Sequence, residues 1–132
     1  MSEQRDRFEA LSAEVCRARD WKWDGQRIEL PLADGRRQQV HLDYFTHEER
    51  AMVRLYSTIG STRRILADRL VFALELNWSM PHGSMAVHDG MLVLVDTLLL
   101  ADADPGEVEA SASFLAETAD RYEKSMFGPD QF

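Results

Sequence analysis

The stretch that decides the fold is Leu74–Val95, "LELNWSMPHGSMAVHDGMLVLV". It begins in an apolar run, passes through Asn77 and Pro81, and ends in two short apolar segments around Asp89-Gly90. Asn tolerates the left-handed conformation that closes helices, and Pro81 cannot continue one, so a helix is expected to stop near Asn77. An Asp-Gly pair between apolar segments is a strong signal for a two-residue hairpin turn. That turn pairs Val87 with Leu92 and Met85 with Leu94 on one face. The same stretch holds His82 and His88 beside Asp89, which raises the question of a metal or catalytic cluster. Metal ligation needs three or four converging donors, with Asp89 or Asp96 the nearest candidates. Asp89 is already explained by the turn, His88 faces away from Val87, and no dense motif such as HExxH is present. The histidines are therefore placed at the surface or a sheet edge.

Upstream, residues 62 to 76 read as a helix whose only polar stripe is Arg64, Asp68 and Glu75. Leu66, Leu70, Phe72, Ala73, Leu74 and Leu76 cover most of the rest. A polar stripe this narrow implies burial on more than one side, with the sheet on one and another helix or a second subunit on the other. Downstream, Asp104-Pro105-Gly106-Glu107 supplies an N-cap, a proline at the first helical position and a glutamate to reach back. Val108, Ala112, Leu115, Ala119, Tyr122 and Met126 form the stripe of that last helix, and Gly128-Pro129 ends it.

The N-terminal half opens with Phe8, Leu11, Val15 and Ala18 at helical spacing over about 3 to 19, with Ser2 as N-cap. From Trp21 the period is two. Ile28, Leu30 and Leu32 alternate with polar residues, as do Val40, Leu42 and Tyr44. A three-residue loop, Ala33-Asp34-Gly35, pairs Ile28 with Val40 and keeps the apolar residues on a common face, whereas a two-residue turn would split them. Trp21 and Trp23 can extend the sheet before a turn at Asp24-Gly25. Pro31 lacks a donor, so its strand is expected at an edge or with that side unpaired. Residues 46 to 60 are ambiguous: Thr46 and Glu49 resemble a capping box, but Val53, Leu55 and their β-favouring neighbours point to a strand near 51 to 59. The expected class is α+β, an antiparallel twisted sheet of about five strands with helices, in the order α-β-β-β-α-β-β-α.

With 132 residues, 45% hydrophobic and 29% charged, the chain is expected to form a single domain, 1–132, whose core needs no disulfide or metal. Its single Cys16 fits a reducing compartment. The polar start "MSEQRDRFEA" does not resemble a signal peptide, and the apolar runs are far shorter than the roughly 20 residues that span a bilayer, so a cytoplasmic location and no membrane partner are expected. The net charge of −8, with basic residues only in pairs such as Arg36-Arg37 and Arg63-Arg64, argues against nucleic acid. These pairs read as solvated turns and helix starts. His47, Glu48 and Glu49 read as a solvated turn, and Cys16 as a small helix-face residue. No GxSxG, phosphate loop or dinucleotide motif is present, and no cofactor is expected. Trp21, Trp23 and Trp78 are read mainly as core-filling, with a partner surface as the alternative.

The segments "RLVFALELNWSMPHGSMAVHDGMLVLVDTLLL" and "DADPGEVEASASFLAETADRYE" resemble the type III secretion chaperone-like superfamily, in particular its YbjN-like branch. The resemblance lies in the leucine-rich helix ending at Asn77, the small Ala86, the Asp89-Gly90 hairpin, the capped last helix, Ala119-Asp120 and Tyr122. It implies a small, acidic, cytosolic, non-enzymatic protein, often a dimer, whose secretion-chaperone members hold an extended segment of a client. The expectation is thus a chaperone-like or regulatory homodimer that binds another protein. Trp21, Trp23, Ile28 and Leu30 are the candidate partner-binding residues, and Val71, Phe72 and Leu76 the candidate dimer interface. Edge strands and side-chain pockets would receive an extended segment. The alternatives are a small metal-dependent enzyme or sensor using His82 and His88, or a domain binding a small ligand.

Overall fold

The computed structural model describes residues 2 to 127. Its elements are α1 (Ser2–Arg19), β1 (Lys22–Trp23), β2 (Arg27–Pro31), β3 (Arg37–His47), β4 (Arg50–Ser61), α2 (Ala67–Leu76), β5 (Ser84–His88), β6 (Met91–Leu99) and α3 (Pro105–Phe127). The six strands form one antiparallel sheet in the order β1-β2-β3-β4-β6-β5. The class and order are those expected from the sequence, with the two-residue β1 as the added strand. It is the tryptophan segment that makes β1, with Trp23 opposite Ile28.

Alternation along the strands sends one set of side chains to the helices and the other to an open face. Ile28, Leu30, Val40, Val53, Leu55, Ile59, Leu92 and Leu94 face α1 and α3 and are buried. Phe8 and Val15 of α1, with Val108, Ala112, Leu115 and Ala119 of α3, close the core from above. Burying a side chain of valine, leucine or phenylalanine size contributes roughly 1.5–3 kcal/mol, so this layer dominates stability. On α1 the buried stripe is Phe8, Ser12, Val15 and Cys16, and Ala18 is exposed. Cys16 is therefore a core residue, and burial pushes its thiol up to about 11. Two arginines strap the layers together. The Arg7 guanidinium donates to the carbonyls of Leu100, Ala101 and Ala103 at 2.6, 3.2 and 3.2 Å. Arg36 pairs with Asp120 at 3.0 Å, tying the β2–β3 loop to α3, and that carboxylate raises the Arg36 pKa. Arg36 is thus a structural tie and not only a solvated turn residue.

The hairpin registers follow the turns. Ile28 pairs with Val40 across the Ala33–Gly35 loop, where Gly35 has φ 75°. Val87 pairs with Leu92 and Met85 with Leu94 across Asp89 (φ 50°) and Gly90 (φ 73°), both left-handed as this turn requires. The ambiguous segment is a turn and a strand. Thr46 belongs to β3, and Glu48 and Glu49 form the tight β3–β4 turn at φ 49° and 69°. No helix begins there, because pairing β4 with both β3 and β6 outweighs a local capping box.

At α3 the cap is complete: the Glu107 amide donates to Asp104 Oδ1 at 2.8 Å, and the Asp104 amide donates to Glu107 Oε1 at 3.2 Å. The expected stop at Gly128-Pro129 lies outside the described residues. Ser2, expected as a cap, is already the first residue of α1. The structure decides between the two readings of Pro31 and corrects the one for Asn77. Pro31 is in β2, which is not an edge strand; β1 stops short of it, so its missing donor costs nothing on that side. Asn77 has right-handed φ/ψ of −57° and −31°, and its contribution is made by its side chain.

Candidate functional site

That side chain introduces the least conventional part of the molecule. α2 runs beside β5, the outermost strand, and the Met85 amide donates to Asn77 Oδ1 at 2.6 Å while Asn77 Nδ2 donates to the Met85 carbonyl at 3.3 Å. The amide group thus takes the place of a neighbouring strand at Met85. β5 is short and partly sealed, and at the other edge β1 has two residues with Pro31 beyond it. Short, capped and proline-bearing edges resist strand addition. Asn77 thus narrows the β5 edge at Met85 that an extended segment could use.

Only Ala73 of α2 is buried, with Leu70 and Leu76 packed partly against the core. The outward half carries Val71, Leu74 and Trp78 at i, i+3 and i+7, with Phe72 across the Asp68 and Glu75 stripe. These residues and Leu66 range from 50% exposed at Phe72 to 95% at Trp78. Val87 on β5 is also exposed. Single exposed apolar residues are ordinary, but five on one short helix and its flanks form a patch of the kind that marks an interaction surface. The narrow polar stripe correctly signalled two-sided apolarity. The structure covers one side only.

The expected interface residues divide along this line. Val71 and Phe72 are open, whereas Leu76 is half-buried and turned toward the core. Leu74 and Trp78 were not singled out for the interface, although their spacing from Val71 was the available signal. Trp78, read mainly as core-filling with a partner surface as the alternative, is the most exposed large apolar residue among those described, because α2 ends just before it and no element lies over it. Trp21 and Trp23 are half-buried against the core, with the Arg19 guanidinium 5.2 Å from the Trp21 ring centroid. Ile28 and Leu30, proposed to touch a partner, are buried on the helix-facing side of β2 and present no surface. The alternation that made them apolar directs them inward.

The histidines lie on opposite sides of the sheet. His88 is on the open face, 6.1 Å from the Tyr56 ring centroid and 3.3 Å from Asp89. His82 lies on the helix side, edge-on to Phe114 at 5.9 Å. They do not converge, and among the described residues no group of three or more His, Cys, Asp or Glu is arranged to hold a metal. A fourth histidine, His41, stacks on Tyr56 at 5.1 Å, and burial lowers its pKa. Among the described residues no helix is long and apolar enough to cross a membrane.

No family model matches the chain, and no curated protein matches it. Solved structures do. The chain is similar to the ExsC–ExsE complex with TM-score 0.65 and 15% identity, covering 92% of this chain and 94% of that one. It is similar to the HopA1–SchA chaperone–effector complex with TM-score 0.60 and 9% identity, covering 89% and 93%. It is similar to the Yersinia pestis type III secretion chaperone SycH, solved with a stable fragment of YscM2, with TM-score 0.57 and 16% identity, covering 87% and 98%. These are type III secretion chaperone structures, and they do not confirm the YbjN-like branch. At such low identity the likeness is one of architecture: the chain has the fold of the type III secretion chaperones.

Proposed function

We propose that this protein is a non-enzymatic, chaperone-like or regulatory module of the cytoplasm that dimerises through α2 and holds a segment of another protein. The observation that carries the reading is the uncovered apolar patch Leu66, Val71, Phe72, Leu74 and Trp78. Burying such an area against a second copy removes apolar surface from water at roughly 25 cal/mol per Å2. A two-fold axis beside α2 would set the same stripe against itself, as an isologous interface requires. The chaperone fold supports partner binding, since SchA and SycH were each solved with a second polypeptide. The net charge of −8 is adverse to nucleic acid as the partner.

Sedimentation of the full chain at micromolar concentration tests the dimer: the expected species has twice the chain mass, and Val71→Asp with Leu74→Asp converts it to a folded monomer. A wild-type monomer overturns the dimer. Capture from native lysate tests the partner, with one protein retained in stoichiometric amount as the expected result and none as the adverse one.

A further inference from the structure

His82 has no part in the surface described above, yet it borders a groove. Between α3 and the link from α2 to β5 lies a cavity of about 140 Å3 lined by His82, Asp96, Leu98, Glu107, Ala110 and Phe114, with Ser111 at its base. It is well below the roughly 300 Å3 at which small-molecule sites begin, and is sized for a single side chain. Its walls are largely apolar: Leu98 from β6, and Ala110 and the Phe114 ring from α3. Two carboxylates stand at the rim. Asp96 is held in place, its Oδ2 accepting from Ser111 Oγ at 2.8 Å and its Oδ1 from the Thr97 amide at 3.0 Å. Glu107 sits in the first turn of α3 and Glu117 lies on the same helix stripe, at i+10, with Ala110 and Phe114 between them. The slot thus has apolar walls and an acidic rim at Asp96 and Glu107.

The charge of the whole chain is concentrated in the segment that carries the groove. Residues 96 to 124 contain eight carboxylates against Arg121 and Lys124, a surplus of six negative charges out of the chain's net −8. Glu109 and Asp120 are paired, with Arg19 and Arg36. Among the described residues neither Asp96 nor Glu107, which border the slot, is paired with a cation.

We propose that this groove docks a basic, amphipathic segment of the partner protein. The methylene stem of an arginine or lysine lies along Leu98, Ala110 and Phe114, and its charged head reaches Asp96 and Glu107. Long basic side chains place apolar stems on apolar surface while keeping the charge at a polar rim. Arginine suits the slot best, because its planar head stacks on an aromatic ring and forks onto a carboxylate. The site rests on the partner-binding reading and deepens it, and it is separate from the α2 patch, where a second copy sits.

The test uses two labelled peptides of equal length and leucine content, one with arginines and one with glutamates at the same positions, titrated into the full chain at low ionic strength. The arginine peptide binds and the glutamate peptide does not. Asp96→Asn with Glu107→Gln weakens the arginine peptide about tenfold. Ala110→Trp, at an exposed position, fills the slot without altering charge and weakens it by a similar factor, which keeps the test valid should the double variant misfold. Glu48→Gln with Glu49→Gln, at the remote β3–β4 turn, leaves affinity unchanged. Equal weakening by that remote pair, or full affinity in Ala110→Trp, overturns the site and reduces the effect to general attraction between opposite charges. Failure of both peptides to bind also overturns the site. The partner-binding reading itself fails only on the lysate experiment, so the two failures are distinguishable.

Discussion

α2 and α3 are both apolar-striped helices, yet their fates are opposite. α3 spans 23 residues, lies across the middle of the sheet and buries seven of its residues. α2 spans 10 residues, is the more apolar in sequence, and buries one. The helix with more apolar surface is the one left uncovered. Folding free energy therefore comes from α3 and its contacts with β3, β4 and β6, while α2 is held by a few contacts to β5 and the Asn77 amide. Such a division leaves the outward apolar half of α2 in water.

Several measurements would break or sharpen this contrast. The largest effect is expected at α3: Leu115→Ala removes a fully buried side chain and should cost about 2–5 kcal/mol in chemical denaturation. Trp78→Ala should leave the stability of the isolated fold within about 0.5 kcal/mol while weakening self-association, read by sedimentation. A loss at Trp78 as large as at Leu115 would show that α2 is a core helix after all.

Alkaline pH comes next. Burial pushes the Cys16 thiol from 9.0 to about 11 and the Tyr44 hydroxyl from 10.0 to about 12. Both groups prefer their neutral forms in the folded chain. Their contribution is fully present below pH 9, and it is lost as pH rises through about 11 and 12. The loss is on the order of 2–3 kcal/mol for Cys16, so Cys16→Ala should flatten the first part of the decline in a melting-temperature series. Asn77→Ala should cost about 1–2 kcal/mol by leaving the Met85 amide and carbonyl without partners, and should raise hydrogen exchange at Met85. A loss of about 1 kcal/mol is expected for Asp104→Ala, which opens the α3 cap.

Much of the architecture was legible because it is written in short-range chemistry. Asp89-Gly90 dictated its turn, the Ala33–Gly35 loop dictated the Ile28–Val40 register, and Asp104-Pro105-Gly106-Glu107 dictated the start of α3. The binding surface was less legible. Alternation identified Ile28 and Leu30 as apolar, but apolar residues in the core and at an interface have the same composition, and only the position of α1 and α3 over β2 assigns these two to the core. Trp78 shows the converse, since an aromatic just past a helix end is buried or exposed according to what lies above it.

What the sequence alone determined is most of the elements, the Ala33–Gly35 and Asp89-Gly90 turns and the two hairpin registers across them, because these depend on residues a few positions apart and on a period of two or 3.6. What only the tertiary structure decided is which apolar faces remain in water, that Asn77 seals β5, that His82 and His88 stand on opposite sides of the sheet, and that Asp96 meets Phe114 across a groove. Each depends on residues brought together from distant parts of the chain, and no local pattern carries that distance.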